Sequence, residues 1–130
     1  MRDARPGAAG SARAIAETIS EAVRVLDLAT LPGCGGFVWP ADVDAVLTSL
    51  QLAAARLPQA LVQSEQWLDE AMQAGRVGHD LDGDARSGVD GARKWLARAV
   101  TDASALARSL DVARQYTAHL TGTVPAGGER

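Results

Sequence analysis

Several residue types are scarce in this chain of 130 residues. Its one cysteine, Cys34, excludes an intramolecular disulfide framework and an all-cysteine metal site. Its 13 basic residues, only one of them lysine, stand against 16 acidic residues, for a formal net charge of −3. The whole chain therefore lacks the basic excess of a nucleic-acid-binding protein. No uninterrupted apolar run approaches the roughly 18 residues of a membrane span, and no signal-peptide segment follows residues 1–6. We expect a cytoplasmic protein without membrane association.

Alanine and leucine dominate what is present, with 26 and 14 residues against five aromatic residues. Both are strong helix formers, and the length fits one domain with a modest core. Clusters of glycine and proline mark the boundaries. They predict a flexible N-terminal arm over residues 1–10, a helical bundle domain over 11–121 and a flexible C-terminal tail over 122–130. Within the domain, residues 30–40 and 75–83 are connectors.

Each of the three segments between connectors carries apolar residues spaced alternately by three and four. Such a spacing places them on one stripe of a helix and is typical of helices packed nearly parallel or antiparallel. The seams are Ala12, Ile15, Ile19, Ala22, Leu26 and Ala29; Val43, Leu47, Leu50, Ala54, Leu57, Leu61, Ser64, Leu68 and Ala71; and Val89, Ala92, Leu96, Ala99, Ala103, Leu106, Leu110 and Ala113. The fold class predicted is all-α: a three-helix bundle with a long antiparallel helical hairpin and a shorter N-terminal helix. Pro58 is expected to kink or break the second helix.

Residue types at the ends of the segments suggest where the helices begin and end. Ser11 is placed to cap the first helix, and Pro40 suits the first position of the second. Asp82 or Asp84 is placed to cap the third helix, and Gly122 to end it.

The charges of the second and third segments are complementary and predict a register. With the turn centred near His79, opposed residues have numbers that sum to about 158. This register predicts three opposed ion pairs, namely Glu65 with Arg93, Arg56 with Asp102, and Asp44 with Arg114. It also places Trp67 opposite Gly91.

The first helix is too short to cover the whole hairpin, and we expect it to cover about half of the groove between the long helices. Apolar residues flank the uncovered half, and they are the candidate interface: Val62, Trp67, Met72, Trp95 and Val100. Tryptophan is enriched at protein interfaces. We therefore expect a non-enzymatic interaction module that forms a homodimer or binds a helical protein partner through this end of the hairpin. In the alternative, both tryptophans lie across the hairpin and a kink at Pro58 folds this end inward.

Other chemistry has weaker support. A nucleophilic thiol needs a base or cation nearby, and only His119 is expected to approach Cys34, so no catalytic residue is predicted. The acidic turn from Asp80 to Asp84 has alanine and glycine where a calcium loop needs glycine and a bidentate acid, so neither a metal nor a cofactor is predicted. The alternative function is a regulatory or mobile-element accessory protein that contacts nucleic acid through the six bases of the third helix. It is not favoured, because four acids are interleaved with these bases.

Two stretches carry a resemblance, Leu61-Val62-Gln63-Ser64-Glu65-Gln66-Trp67-Leu68 and Ala74-Gly75-Arg76-Val77-Gly78-His79-Asp80. In these stretches, and in its preference for arginine over lysine, the chain resembles small uncharacterised Ala/Arg-rich helical proteins of actinomycetes, some of which accompany plasmids or integrative elements. The resemblance spans most of residues 40–121. It implies a helical hairpin core and no activity.

Overall fold

The computed structural model describes residues 7–81 and 83–124, and all of its regular structure is α-helical. The helices are α1 (Gly7–Ala29), α2 (Pro40–Gln73) and α3 (Ala85–Thr117). The two long helices, α2 and α3, pack closely against each other as an antiparallel hairpin. This confirms the predicted fold class, with its three helices, its long hairpin and its shorter first helix.

Helix α2 runs without interruption through Pro58, so the alternative of a break at this residue is wrong. A proline inside a helix removes one backbone hydrogen bond and crowds the preceding turn. Here the helix packs on α3 on both sides of the proline, as the buried Ala54 and Ala71 show. The contact with α3 therefore holds the parts of α2 before and after Pro58 together as one helix.

The start of α2 follows the prediction, since Pro40 is its first residue. The carboxylate of Asp42 accepts the backbone N–H groups of Val38 and Trp39 at 2.8 and 2.9 Å. These hydrogen bonds lower the pKa of Asp42, that from Trp39 having the larger effect. Asp42 thereby fixes the direction in which the chain enters the helix.

The ends of the other helices agree with the prediction in one case of three. Asp84 caps α3, its carboxylate accepting the N–H of Arg86 at 3.2 Å, whereas Asp82 lies outside the described residues. Ser11 is not a cap, because α1 already begins at Gly7, within the stretch predicted as a flexible arm. Gly122 does not end α3, which stops at Thr117. The rest of the predicted arm, residues 1–6, and most of the predicted tail, residues 125–130, lie outside the described residues.

The core between α2 and α3 consists of small side chains. The buried residues within the described ranges are four alanines and one valine: Ala54, Ala71, Val89, Ala103 and Ala107. Alanine at the contact allows two helix backbones to approach closely, because little side chain separates them. The larger apolar side chains therefore lie at the edges of the contact or outside it. Leu57 and Leu106, predicted in the seams, are 40% and 50% exposed.

Helix α1 stands apart from the hairpin. No Cα atom of α1 lies within 8 Å of one in α2 or α3 in the described part of the chain. The expectation that α1 covers half of the hairpin groove is therefore wrong. The connector holds α1 apart from the hairpin, because it folds back on the end of α1. Within it, Cys34 donates its N–H to the carbonyl of Leu31 at 3.0 Å, and Gly36 packs against the carbonyl of Ala29.

The connector, rather than α1, covers the open end of the hairpin. The ring of Trp39 lies directly against Gly122, where a Cβ atom would collide with it. A cavity of about 330 Å³ lies beside this contact, lined by Phe37, Val38, Trp39, Pro40, Val43, Thr117 and Leu120. The last part of the connector is thus fixed to the end of α3, while α1 projects beyond it.

Candidate interaction surface

One side of the hairpin carries ion pairs that link α2 to α3. Arg93 donates from Nε to Glu65 and from a terminal nitrogen to Asp69, the second at 3.1 Å. The hydrogen bond that Arg93 donates to Glu65 is the main cause that raises the pKa of Arg93. Arg114 lies 3.6 Å from Asp44. We call Asp44, Glu65, Asp69, Arg93 and Arg114 the ion-pair edge. Two of its pairs, Glu65 with Arg93 and Asp44 with Arg114, confirm the predicted register.

The third predicted pair, Arg56 with Asp102, does not form. Asp102 accepts instead from Arg98 on its own helix at 3.1 Å, and Arg56 is exposed. Oppositely charged residues four positions apart on one helix can pair without a contribution from the neighbouring helix.

The two tryptophans of the predicted interface are both largely in solvent. Trp67 is 57% exposed and Trp95 is 65% exposed. Trp67 lies two residues from both Glu65 and Asp69, and Trp95 lies two residues from Arg93. Two residues along an α-helix place side chains about 160° apart, so both rings point away from the ion-pair edge.

Neither tryptophan is buried against its own chain, as it would be if both lay across the hairpin and this end folded inward. The predicted contact between Trp67 and Gly91 is wrong, because a Cβ atom at Gly91 would meet open space. The ring of Trp67 instead has the guanidinium of Arg76 at 5.6 Å from its centroid. The ammonium of Lys94 lies 6.0 Å from the ring of Trp95. Such contacts leave most of each ring available to a partner.

The remaining candidate residues lie elsewhere on the hairpin. Val62 and Val100 are half-buried and line a groove of about 490 Å³ beside the ion-pair edge, together with Glu65 and Arg93. Met72 is also half-buried. The five residues predicted as one interface are therefore divided between two sides of the hairpin, with both tryptophans on the side opposite the ion pairs.

Exposed and half-buried apolar residues lie on the same side of the hairpin as the tryptophans, and we call this set, with the tryptophans, the alanine face. Its members are separated by three, four or seven residues along their helices, which places them on one stripe of each. They are Val46, Ala53, Leu57, Ala60 and Trp67 on α2, and Trp95, Ala99, Leu106 and Ala113 on α3. Arg56 and Asp102 share this spacing along the helices, so charged residues lie next to the apolar ones. The spacing was visible in the sequence, but it could not show that Leu57 and Leu106 lie beside the helix contact rather than in it.

No protein-family model matches the chain, and comparison with curated proteins and with solved structures found no match. The function is therefore argued from the surface of the hairpin alone.

The basic residues of α3 are mostly engaged by acids. Besides the two arginines of the ion-pair edge, Arg98 is paired with Asp102 and Arg86 lies 3.6 Å from Asp90. A phosphate backbone would have to compete with these carboxylates for the same guanidinium groups.

The groups considered for chemistry do not come together in the residues that the structure describes. Cys34 is exposed in the connector, and no hydrogen bond joins its sulfur to His79 or His119 in the described ranges. His79 lies at the opposite end of the hairpin, where its Nδ1 accepts from the N–H of Leu81 at 3.2 Å. No group of three or more His, Cys, Asp or Glu side chains placed to hold a metal ion occurs in residues 7–81 and 83–124.

By length and composition, α2 passes the criterion for a membrane-spanning helix, with a window of mean hydropathy 1.2. Only 6% of that window is buried in the protein. A single helix of this kind is weak evidence for a membrane span. What it shows directly is that a long apolar helix of this chain is left largely uncovered.

Proposed function

We propose that this protein is a non-enzymatic helical interaction module that self-associates through the alanine face. The observation that carries the proposal is the exposure of Trp67 and Trp95 on one side of the loop end of the hairpin. Large apolar side chains grouped on one surface often mark a site of protein–protein interaction. The opposite side of the hairpin carries the ion pairs between the two helices instead.

The tryptophans alone represent a considerable driving force for association. A tryptophan has roughly 150–250 Å² of side-chain surface to bury. More than half of it is exposed for each ring, so burying both would contribute roughly 6 kcal/mol at about 25 cal/mol per Å². Association costs at least about 4 kcal/mol in lost freedom of motion. The leucines and valine of the alanine face must therefore add to the contact for a stable complex.

Two other classes of partner receive less support. Nucleic-acid binding through α3 is disfavoured because four of its arginines already face carboxylates within the protein. A lipid surface would accept exposed indole rings, but the alanine face is flanked by Arg98 and Asp102 in mutual contact. An ion pair beside the face suits a protein partner with polar residues at its rim.

The test is the molar mass in solution, measured by light scattering over a concentration series. We expect a dimer for the native chain and a monomer for the double variant Trp67→Ala, Trp95→Ala, with helicity by circular dichroism unchanged. Val112→Ala is the matched control, because Val112 is 50% exposed on α3 but is rotated by about 100° or more from each residue of the face on that helix. It should leave the dimer intact.

Two outcomes would contradict the proposal. One is a monomer at every concentration with both indoles open to a soluble quencher. The other is a monomer that sediments with lipid vesicles through the same two tryptophans, which would assign the face to a membrane.

A further inference from the structure

We propose that the alanine face of one chain is covered by α1 of a second copy, so that two chains exchange their first helices. This inference rests on the proposed self-association and names the segment that makes the contact. It follows from the fact that the structure leaves two apolar surfaces of the same chain without partners, one on the hairpin and one on α1.

Helix α1 has the chemical character of a docking helix. Its apolar seam includes Ile15 and Ile19, which are 59% and 53% exposed. Its charged residues Glu21 and Arg24 pair with each other, and both lie on the side opposite the seam. A 23-residue helix that has an apolar seam, and no contact with α2 or α3 in the described residues, gains its packing from another surface.

The dimensions of the two surfaces agree. At about 1.5 Å per residue, α1 is roughly 35 Å long, and the alanine face from Val46 to Trp67 is roughly 32 Å long. The alanines of the face also allow a third helix to approach closely, in the way that the alanines of the core bring α2 and α3 together. One α1 is thus long enough to cover the whole face.

The connector favours a second chain as the source of that helix. At one end it is folded against α1, with Gly36 on the carbonyl of Ala29. At the other end it is fixed to the hairpin, by Asp42 and by the ring of Trp39 on Gly122. This arrangement holds α1 away from its own hairpin while leaving its seam free. If each chain donates α1 to the other, the contact is reciprocal and closes as a twofold dimer.

Disulfide formation between chains tests the exchange in the full-length protein. In a Cys34→Ser background, Ile19→Cys is placed near the middle of α1 and Ala53→Cys near the middle of the face. Both positions lie within about four residues of the middle of their segments, so their pairing depends little on helix direction. The two variants are mixed, allowed to exchange subunits and mildly oxidised, and intact mass spectrometry identifies the mixed dimer by its mass. The matched controls move one position along each helix, to Ser20→Cys and Leu52→Cys.

We expect the mixed dimer of Ile19→Cys and Ala53→Cys to exceed either control pair by about tenfold. Equal yields from all pairs would overturn the exchange. So would an intrachain disulfide in one chain carrying both cysteines at high dilution, because it would show that α1 covers its own hairpin. If the tryptophan variants still abolish the dimer, self-association stands and only the exchange fails; a native monomer removes both.

Discussion

The alanine core makes a quantitative prediction about overpacking. Ala54 is 2% exposed at the contact between α2 and α3, so Ala54→Leu adds three carbon atoms where no space exists. Inserting extra carbons into a packed core costs typically about 1–3 kcal/mol. For a small domain each kcal/mol lowers the melting temperature by roughly 4–8 °C. We expect Ala54→Leu to lower it by at least roughly 4 °C.

The assay is thermal unfolding followed by circular dichroism at one fixed protein concentration. Ala55→Leu is the control, because Ala55 is the next residue on the same helix and is exposed. Alanine and leucine differ little in helix propensity, so the control should melt within about 2 °C of the native chain. Equal melting temperatures for the two variants would show that α2 and α3 are not held together by close contact at Ala54.

Three further predictions follow from single residues of the hairpin. Gly91→Ala should raise the free energy of unfolding in urea by about 1 kcal/mol, because alanine is the better helix former and its Cβ atom meets open space. A loss of stability would indicate that this side of α3 is already covered. Arg93→Ala should lower the stability measured by urea unfolding, because its hydrogen bonds to Glu65 and Asp69 are lost. The loss should shrink in high salt, and no change at low salt would show that these bonds add nothing. Asp42 has a lowered pKa, so its stabilising effect is complete above its ordinary pKa near 4 and is lost as the pH falls through the lower folded value. Asp42→Asn should therefore weaken the fall in stability below about pH 4, and an identical pH profile in the variant would refute the hydrogen bonds to the start of α2.

For the two hairpin helices, the sequence-based predictions were right at both helix starts and for two of the three opposed ion pairs. The positions of Pro40 and Asp84 follow from the chemistry of helix starts. The pairing of Glu65 with Arg93 follows from charge sign and the length of the turn. Expectations that needed the rotation of each helix failed, as with Trp67 opposite Gly91. A difference of one position turns a side chain by about 100°, and a spacing of three and four residues does not define that rotation closely enough.

The sequence by itself determined the three helices, the antiparallel hairpin and its register, because periodicity, capping residues and opposed charges act between near neighbours or across one short turn. Only the tertiary structure decided where α1 lies and which side of the hairpin remains uncovered. A connector rich in glycine carries no periodic signal, and its path depends on contacts such as Gly36 with Ala29 and Trp39 with Gly122. Those contacts hold the first helix away from the other two, and the rotation of α2 and α3 about their contact places both tryptophans at the surface.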